Sequence, residues 1–196
     1  IDIDANEMVH QIHSDTVVST KTHNFYLEMG ENYKIKGDET LLQQAIRALI
    51  ENATKYSEPH TNIYIKSFIK DGFGRISIRD EGVGISDEDA KRIFDRFYRV
   101  DLSRTKATGG TGLGLAIVKR IVEIHNGKIE IESKMNEGTE ISIVLPIGEN
   151  IVKTEEENNK NVKKERTEKK RAVFSFLKKE KEHKHKKRKK RLTVLT

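Results

Sequence analysis

The residue pattern predicts a two-layer α/β sandwich, and three observations carry that prediction. Leu41, Leu42, Ala45, Ile46, Leu49, Ile50 and Ala53 recur at i, i+3 and i+4, the spacing of a helix with one apolar face. Ile63, Ile65 and Ile69, then Ile76 and Ile78, alternate with polar residues as half-buried strands do. Helical and extended stretches also arrive in blocks with short turns between neighbours. One mixed, mostly antiparallel sheet packed against about three helices buries both patterns at once.

The elements are expected in this order. Met8, Val9, Ile12 and Val17 mark a first helix, and residues 24–29 and 33–35 read as two short strands around Gly30. Asp38 has the side chain and the place of an N-cap for the long apolar-striped helix, and Pro59 marks its exit. Asp71-Gly72-Phe73-Gly74 reads as a hairpin turn between the alternating strands. Ser86 caps a short helix that ends near Phe94, and residues 112–125 form the second strong helix, closed by Asn126-Gly127. Residues 128–133 and 139–145 are the last two strands, joined across Asn136-Glu137-Gly138.

Composition bounds the possibilities. A chain of 196 residues with 35% hydrophobic content can bury one domain core with an appendage. No apolar run reaches the roughly 18 residues that a membrane span needs, and no signal-peptide pattern is present. The absence of cysteine removes disulfides and thiolate metal sites and fits a cytoplasmic setting. Residues 151–196 hold 18 Lys and Arg against 7 acidic residues, a net +11, leaving −5 on residues 1–150. A mildly acidic body argues against nucleic-acid binding by the domain. The expected division is therefore a domain at 1–147 and a polar to strongly basic, largely disordered tail at 148–196. The first residue is Ile1, and the chain is read as part of something longer.

Four segments carry chemistry. Gly109-Gly110-Thr111-Gly112-Leu113-Gly114-Leu115-Ala116-Ile117 places four glycines ahead of an apolar helix. There, backbone amides can approach phosphates and a helix N-terminus adds unpaired donors. Upstream lie Glu51-Asn52-Ala53-Thr54-Lys55-Tyr56, then Asp80-Glu81-Gly82-Val83-Gly84-Ile85, then Phe94-Asp95-Arg96-Phe97-Tyr98-Arg99-Val100-Asp101. Alone, each has an ordinary structural explanation as a helix end, a turn or an aromatic anchor. In this order and spacing they resemble the N box, first G box, F box and second G box of the ATP-binding catalytic domain of two-component sensor histidine kinases. That family shares a superfamily with the DNA gyrase, heat-shock chaperone and mismatch-repair ATPases.

The resemblance covers residues 1–147 and implies a Bergerat-type sandwich with a mobile ATP lid at residues 100–108, and Mg-ATP as ligand. It implies that Asn52 coordinates Mg2+ while Lys55 and Tyr56 line the nucleotide, and an amide oxygen is a suitable neutral ligand for a cation already holding phosphate oxygens. It makes Asp80 the reader of the adenine amine, with Gly82, Gly84 and Ile85 beside the base. It turns Arg99 toward phosphate, with Asn52, Lys55 and Arg99 as the catalytic set. Gly110, Thr111, Gly112, Leu113 and Gly114 become the phosphate loop. Phe94 and Phe97 are expected to anchor the base of the lid.

One position separates kinases from hydrolases in this superfamily. Hydrolytic members carry a Glu one helical turn before the N-box Asn to activate water, and here that residue is Ala48. Glu51 is adjacent to Asn52 and faces about 100° away, a poor substitute. The expected reaction is therefore transfer to another acceptor, with slow hydrolysis. In this family the phosphorylated His is followed by an acidic residue, and none of the seven histidines here is. His125 is expected to cap its helix through the dipole. The chain thus reads as half of a kinase, whose partner is a histidine phosphoacceptor and dimerisation domain and, indirectly, a response regulator. The alternative is a non-catalytic nucleotide-sensing interaction module of the same fold. The basic tail is read first as solvated, then as a contact for an anionic membrane surface, with nucleic acid the weakest expectation.

Overall fold

The computed structural model describes residues 1–100 and 112–148. The order is β1 (Asp2–Asp4), α1 (Ala5–Ser19), β2 (Asn24–Met29), β3 (Lys34–Lys36), α2 (Glu39–Tyr56), β4 (Asn62–Lys70) and β5 (Phe73–Asp80). Then follow α3 (Asp87–Ala90), α4 (Gly114–Ile124), β6 (Lys128–Lys134) and β7 (Gly138–Pro146). Five strands form one sheet in the order β2-β4-β5-β7-β6, and β1 pairs with β3 in a separate two-stranded ribbon. Only β2 and β4 run parallel within the five-stranded sheet; its other pairs are antiparallel.

Local chemistry sets most boundaries. Asp38 caps α2 by accepting the Leu41 N–H at 3.1 Å, and Asp4 caps α1 through the Glu7 N–H at 2.9 Å. β4 and β5 meet with Lys70 opposite Phe73, so the hairpin turn is the two residues Asp71 and Gly72. Their φ values of 54° and 77° are those of a type I′ turn, which glycine adopts freely and aspartate tolerates. After α4, Asn126 turns left-handed at φ 55°, and the Gly127 N–H reaches back to the Val122 carbonyl at 2.9 Å.

The core lies between the helices and one face of the sheet. Leu42, Ala45, Ile46, Leu49, Ile50 and Ala53 of α2 are buried, with Ile63, Ile65, Ile76, Ile78, Ile141 and Ile143 from the strands. Val118, Ile121 and Val122 bring α4 onto the same core. Burial of branched aliphatic side chains on this scale contributes roughly 1.5–3 kcal/mol each before entropy is counted.

The two strands around Gly30 form as expected, and their partners lie elsewhere in the chain: β2 pairs parallel with β4, and β3 pairs with β1. Alternation specifies a strand but not its neighbour. One boundary needs correction: the short helix capped by Ser86 is the single turn α3, which ends at Ala90 and not near Phe94. On α1 the buried position is Thr16, whose hydroxyl donates to the Ile12 carbonyl at 2.7 Å, while Val17 is exposed. His125 is the C-cap of α4, the position expected for it, and its ring is buried. Its Nε2 lies 2.9 Å from the Asp38 N–H and its Nδ1 2.7 Å from the Ile121 carbonyl. An amide donates and a carbonyl accepts, so the ring is neutral with its proton on Nδ1, and it ties the end of α4 to the start of α2.

Candidate functional site

The C-terminal end of α2, the loop after β5, the turns after α3 and the start of α4 converge on a two-lobed pocket. One lobe, of about 340 Å³, is lined by Ala48, Glu51, Asn52, Lys55, Arg99, Gly112 and Gly114 among others. The other, of about 320 Å³, is lined by Asp80, Val83, Gly84, Ile85, Met135 and Thr139 among others. Asn52, Tyr56, Ile93, Tyr98, Arg99 and Leu115 border both. The first lobe is polar and cationic, and the second is mostly apolar with Asp80 at its floor.

Helical periodicity explains the first lobe. Asn52 and Tyr56 are one turn apart and Lys55 lies three residues after Asn52, so all three share a face. The Lys55 ammonium sits 5.5 Å from the Tyr56 ring centroid, a cation–π contact that steadies it over the pocket. Across the lobe α4 begins at Gly114 with Leu113 as its N-cap, and Leu113 offers no side-chain hydrogen bond. Among the described residues no side chain caps the first N–H groups of this eleven-residue helix, and its dipole favours an anion. A Cβ on Gly114 would meet only open space. What that glycine leaves clear is the lobe itself.

Asp80 ends β5 buried, at 7% exposure. Its Oδ1 accepts the Gly82 N–H at 2.8 Å, and the carboxylate also accepts the Thr139 backbone N–H. Desolvation pushes its pKa up, and the two amides and the nearby Arg79 oppose that. A buried acceptor at the floor of an apolar slot is suited to an exocyclic amine.

The glycines of this loop serve the fold more directly than a ligand. A Cβ on Gly82 would stand 2.3 Å from the Tyr56 carbonyl oxygen, and on Gly84, at φ 70°, 2.1 Å from the Lys134 carbonyl oxygen. They let the loop close against α2 and β6, and Gly82 does not line the pocket. Glu81 is tied outward, where the Asn62 N–H and the Tyr64 hydroxyl, each at 3.1 Å, hold its pKa down.

Phe94 packs against the core as expected, whereas Phe97 is 72% exposed. Phe97 anchors by its backbone instead: at φ 64° its N–H donates to the Gly112 carbonyl at 2.9 Å. Gly112, itself at φ 69°, has no room for a side chain because its Cβ would lie 2.9 Å from the Phe97 backbone. Tyr98 fills the space between the lobes, its hydroxyl 2.5 Å from Asp89 and its ring 4.3 Å from the Arg92 guanidinium carbon.

Of the expected site residues, the pocket gathers Asn52, Lys55, Tyr56, Asp80, Gly84, Ile85, Arg99, Gly112 and Gly114. Leu113 lies at the helix cap beside it. Gly110, Thr111 and nearly all of the expected lid lie outside the described residues. Sequence reasoning passed over Ile93, Leu115, Met135 and Thr139 as wall residues. Their signal was weak because each is also an ordinary element residue. Glu51, set aside on its angle from Asn52, does line the cationic lobe together with Ala48. A wide lobe at a helix end takes in more than one face.

Residues 37–149 match the family model described as histidine kinase-, DNA gyrase B-, and HSP90-like ATPase. The chain is similar to the sensor-like histidine kinase SenX3 of Mycolicibacterium smegmatis, 44% identical over 114 residues, which are 58% of this chain and 30% of that protein. It is similar to the sensor histidine kinase WalK of Bacillus subtilis, 38% identical over 149 residues, which are 75% of this chain and 23% of that protein. The chain thus spans less than a third of the length of these curated relatives. Among solved structures, the mycobacterial sensor histidine kinase MprB superposes with a TM-score of 0.65 at 28% identity, over 75% of this chain and 97% of that one.

Proposed function

Because the chain belongs to the family of histidine kinase-, DNA gyrase B-, and HSP90-like ATPases, we propose that its pocket binds Mg-ATP. We propose further that it presents the γ-phosphoryl group to a histidine on a separate phosphoacceptor and dimerisation domain. The observation that supports this reading best is the polarity of the pocket. A buried carboxylate closes an apolar slot at one end, and an amide, a lysine and a helix N-terminus meet at the other.

In this reading Asp80 accepts a hydrogen bond from the adenine amine, and Val83, Ile85 and Met135 cover the faces of the base. Asn52 offers its side-chain oxygen to Mg2+, and bound Mg2+ offsets charge on the phosphate oxygens. Lys55, Arg99 and the α4 amides face the phosphates and stabilise charge spread over the equatorial oxygens during in-line transfer. The fit is favourable: the lobe is cationic, and Gly114 leaves open space where phosphates would lie.

Ala48 places a methyl group where a hydrolase carries its carboxylate, so water is not activated from that position. Transfer to a protein histidine is therefore favoured over hydrolysis. We assign the domain to residues 1–147 and treat 148–196 as a basic tail, solvated in the first reading, with an anionic membrane surface as the partner its charge would suit second. In this proposal the domain works on the cytoplasmic side of a membrane-associated sensor. No helix among the described residues is long and apolar enough to cross a membrane.

The test is transfer of label from γ-labelled ATP to a dimeric histidine phosphoacceptor domain, with Asn52→Ala beside the wild type. Transfer by the wild type and a loss of about 100-fold or more in the variant is the expected result, since a metal ligand and its charge are removed. Nucleotide binding with no label on any acceptor domain supplied would favour the nucleotide-sensing module.

A further inference from the structure

Three polar side chains stand in one row across the sheet beside the floor of the pocket. Asp80 of β5 is opposite Thr139 of β7, and Thr139 is opposite Ser133 of β6. Asp80 and Thr139 line the pocket, and Ser133 stands one strand behind them.

The hydrogen-bond partners of Ser133 fix where the protons are. Its Oγ lies 3.0 Å from the Gly138 carbonyl, 2.8 Å from the Ile85 N–H and 2.8 Å from the Thr139 Oγ1. A carbonyl only accepts, so the single Ser133 proton goes to Gly138. An amide only donates, so Ile85 occupies one Ser133 lone pair. The third contact is then the Thr139 hydroxyl donating to the second lone pair. Thr139 has used its only proton, and its oxygen keeps lone pairs alone for the pocket. The Asp80 carboxylate beside it is an acceptor too, already holding the Gly82 and Thr139 backbone amides.

We infer that Ser133 is a positioning residue for base selection. By drawing the Thr139 proton away from the pocket, it keeps the Asp80–Thr139 edge acceptor-only, admitting a purine with an exocyclic amine there and rejecting one with a carbonyl. The inference rests on the nucleotide reading of the site and adds the source of its preference for adenine. A site built to receive a donor rejects the analogue that presents an acceptor, because lone pairs then face each other without a proton between them. Without Ser133 the Thr139 hydroxyl can rotate and donate to a carbonyl, so discrimination should relax. Ile85, which loses its backbone partner in the same change, forms part of the slot wall and links Ser133 to affinity as well.

The experiment measures Kd for Mg-ATP and Mg-GTP by calorimetry on the full chain. The variants are Ser133→Ala, Ser133→Thr, Thr139→Val and the double variant Ser133→Ala/Thr139→Val, with folding checked by circular dichroism. The wild type should prefer ATP. Ser133→Ala should narrow the ATP-to-GTP preference by about tenfold, the scale of one hydrogen bond, and Ser133→Thr should restore it. In the Thr139→Val background Ser133→Ala should leave the preference unchanged, because the proton it controls is gone. If Ser133→Ala folds poorly, Thr139→Val alone serves: it keeps the Ser133 contacts to Gly138 and Ile85 and removes the lone pairs that reject a carbonyl, so it should narrow the preference too, and an unchanged ratio there would overturn the inference.

A parallel weakening of both nucleotides with an unchanged ratio would overturn the inference and leave the nucleotide site standing. An equal change of ratio with and without Thr139 would overturn it as well. A folded wild type that binds neither nucleotide would overturn the nucleotide reading and the inference together.

Discussion

Asp80 is costly to bury, and in the proposed reading a ligand amine offsets part of that cost. Its carboxylate is buried, desolvation raises its pKa, and no cation other than the exposed Arg79 opposes that. Glu130 is the opposite case. Arg75, with Lys128 second, holds its pKa at about 2, against 4.5 for a free glutamate side chain. A depressed carboxylate contributes stability above its unfolded value, and that contribution is lost as pH falls. The window here runs from 4.5 down to about 2. Arg75 is largely buried, with an Nε that has no partner among the described residues, and Glu130 is more than a third exposed. Solvent screening therefore limits the pair to about 1 kcal/mol at neutral pH. Glu130→Gln should lower stability by about that amount at pH 7 and flatten the acid limb of a urea-midpoint against pH profile. A steep acid limb retained in the variant would assign it to other carboxylates. At this scale Asn52, Lys55 and Asp80, which line the pocket, were legible in the sequence because motif and chemistry coincide there. The row Asp80–Thr139–Ser133 was hidden, since a Thr and a Ser on strands do not announce their neighbours until the register is known.

At the scale of elements, α2 and α4 were the most legible, because apolar stripes of that length have no other stable use. Their mutual placement was not. The ring of His125 spans the two ends, accepting from Asp38 at the start of α2 and donating to Ile121 near the end of α4. Gly37 makes room for it, since a Cβ there would lie 2.2 Å from the ring. Capping of its own helix was the part legible in sequence; the Asp38 N–H at the start of α2, which Nε2 accepts, comes within reach only in the fold. His125→Phe keeps an aromatic ring but leaves the Asp38 N–H without an acceptor. It should destabilise the domain by about 1–3 kcal/mol in urea unfolding, the range for an unsatisfied buried donor. An unchanged midpoint would show that water or a shifted backbone replaces the ring. The β2 and β3 pairings were illegible for a related reason. Short strands around Gly30 announce extended backbone, and the choice of β4 over a local hairpin depends on long-range packing.

The whole molecule joins a mildly acidic domain to a strongly basic stretch, and the four motif segments all belong to the domain. Three of them, at residues 51–56, 80–85 and 94–101, meet around one pocket; the fourth is represented there by Gly112 and Gly114. Their order in sequence announced the family, and the sandwich supplies the distance between an acceptor floor and a cationic mouth. The central claim is that this polarity selects Mg-ATP, with its base on Asp80. Calorimetric titration of Mg-ATP into the wild type and into Asp80→Asn tests it most directly. The account predicts saturable binding to the wild type and at least a tenfold loss in a variant that remains folded, because an amide presents a donor where the adenine amine needs an acceptor. Equal affinity in the two proteins would contradict it.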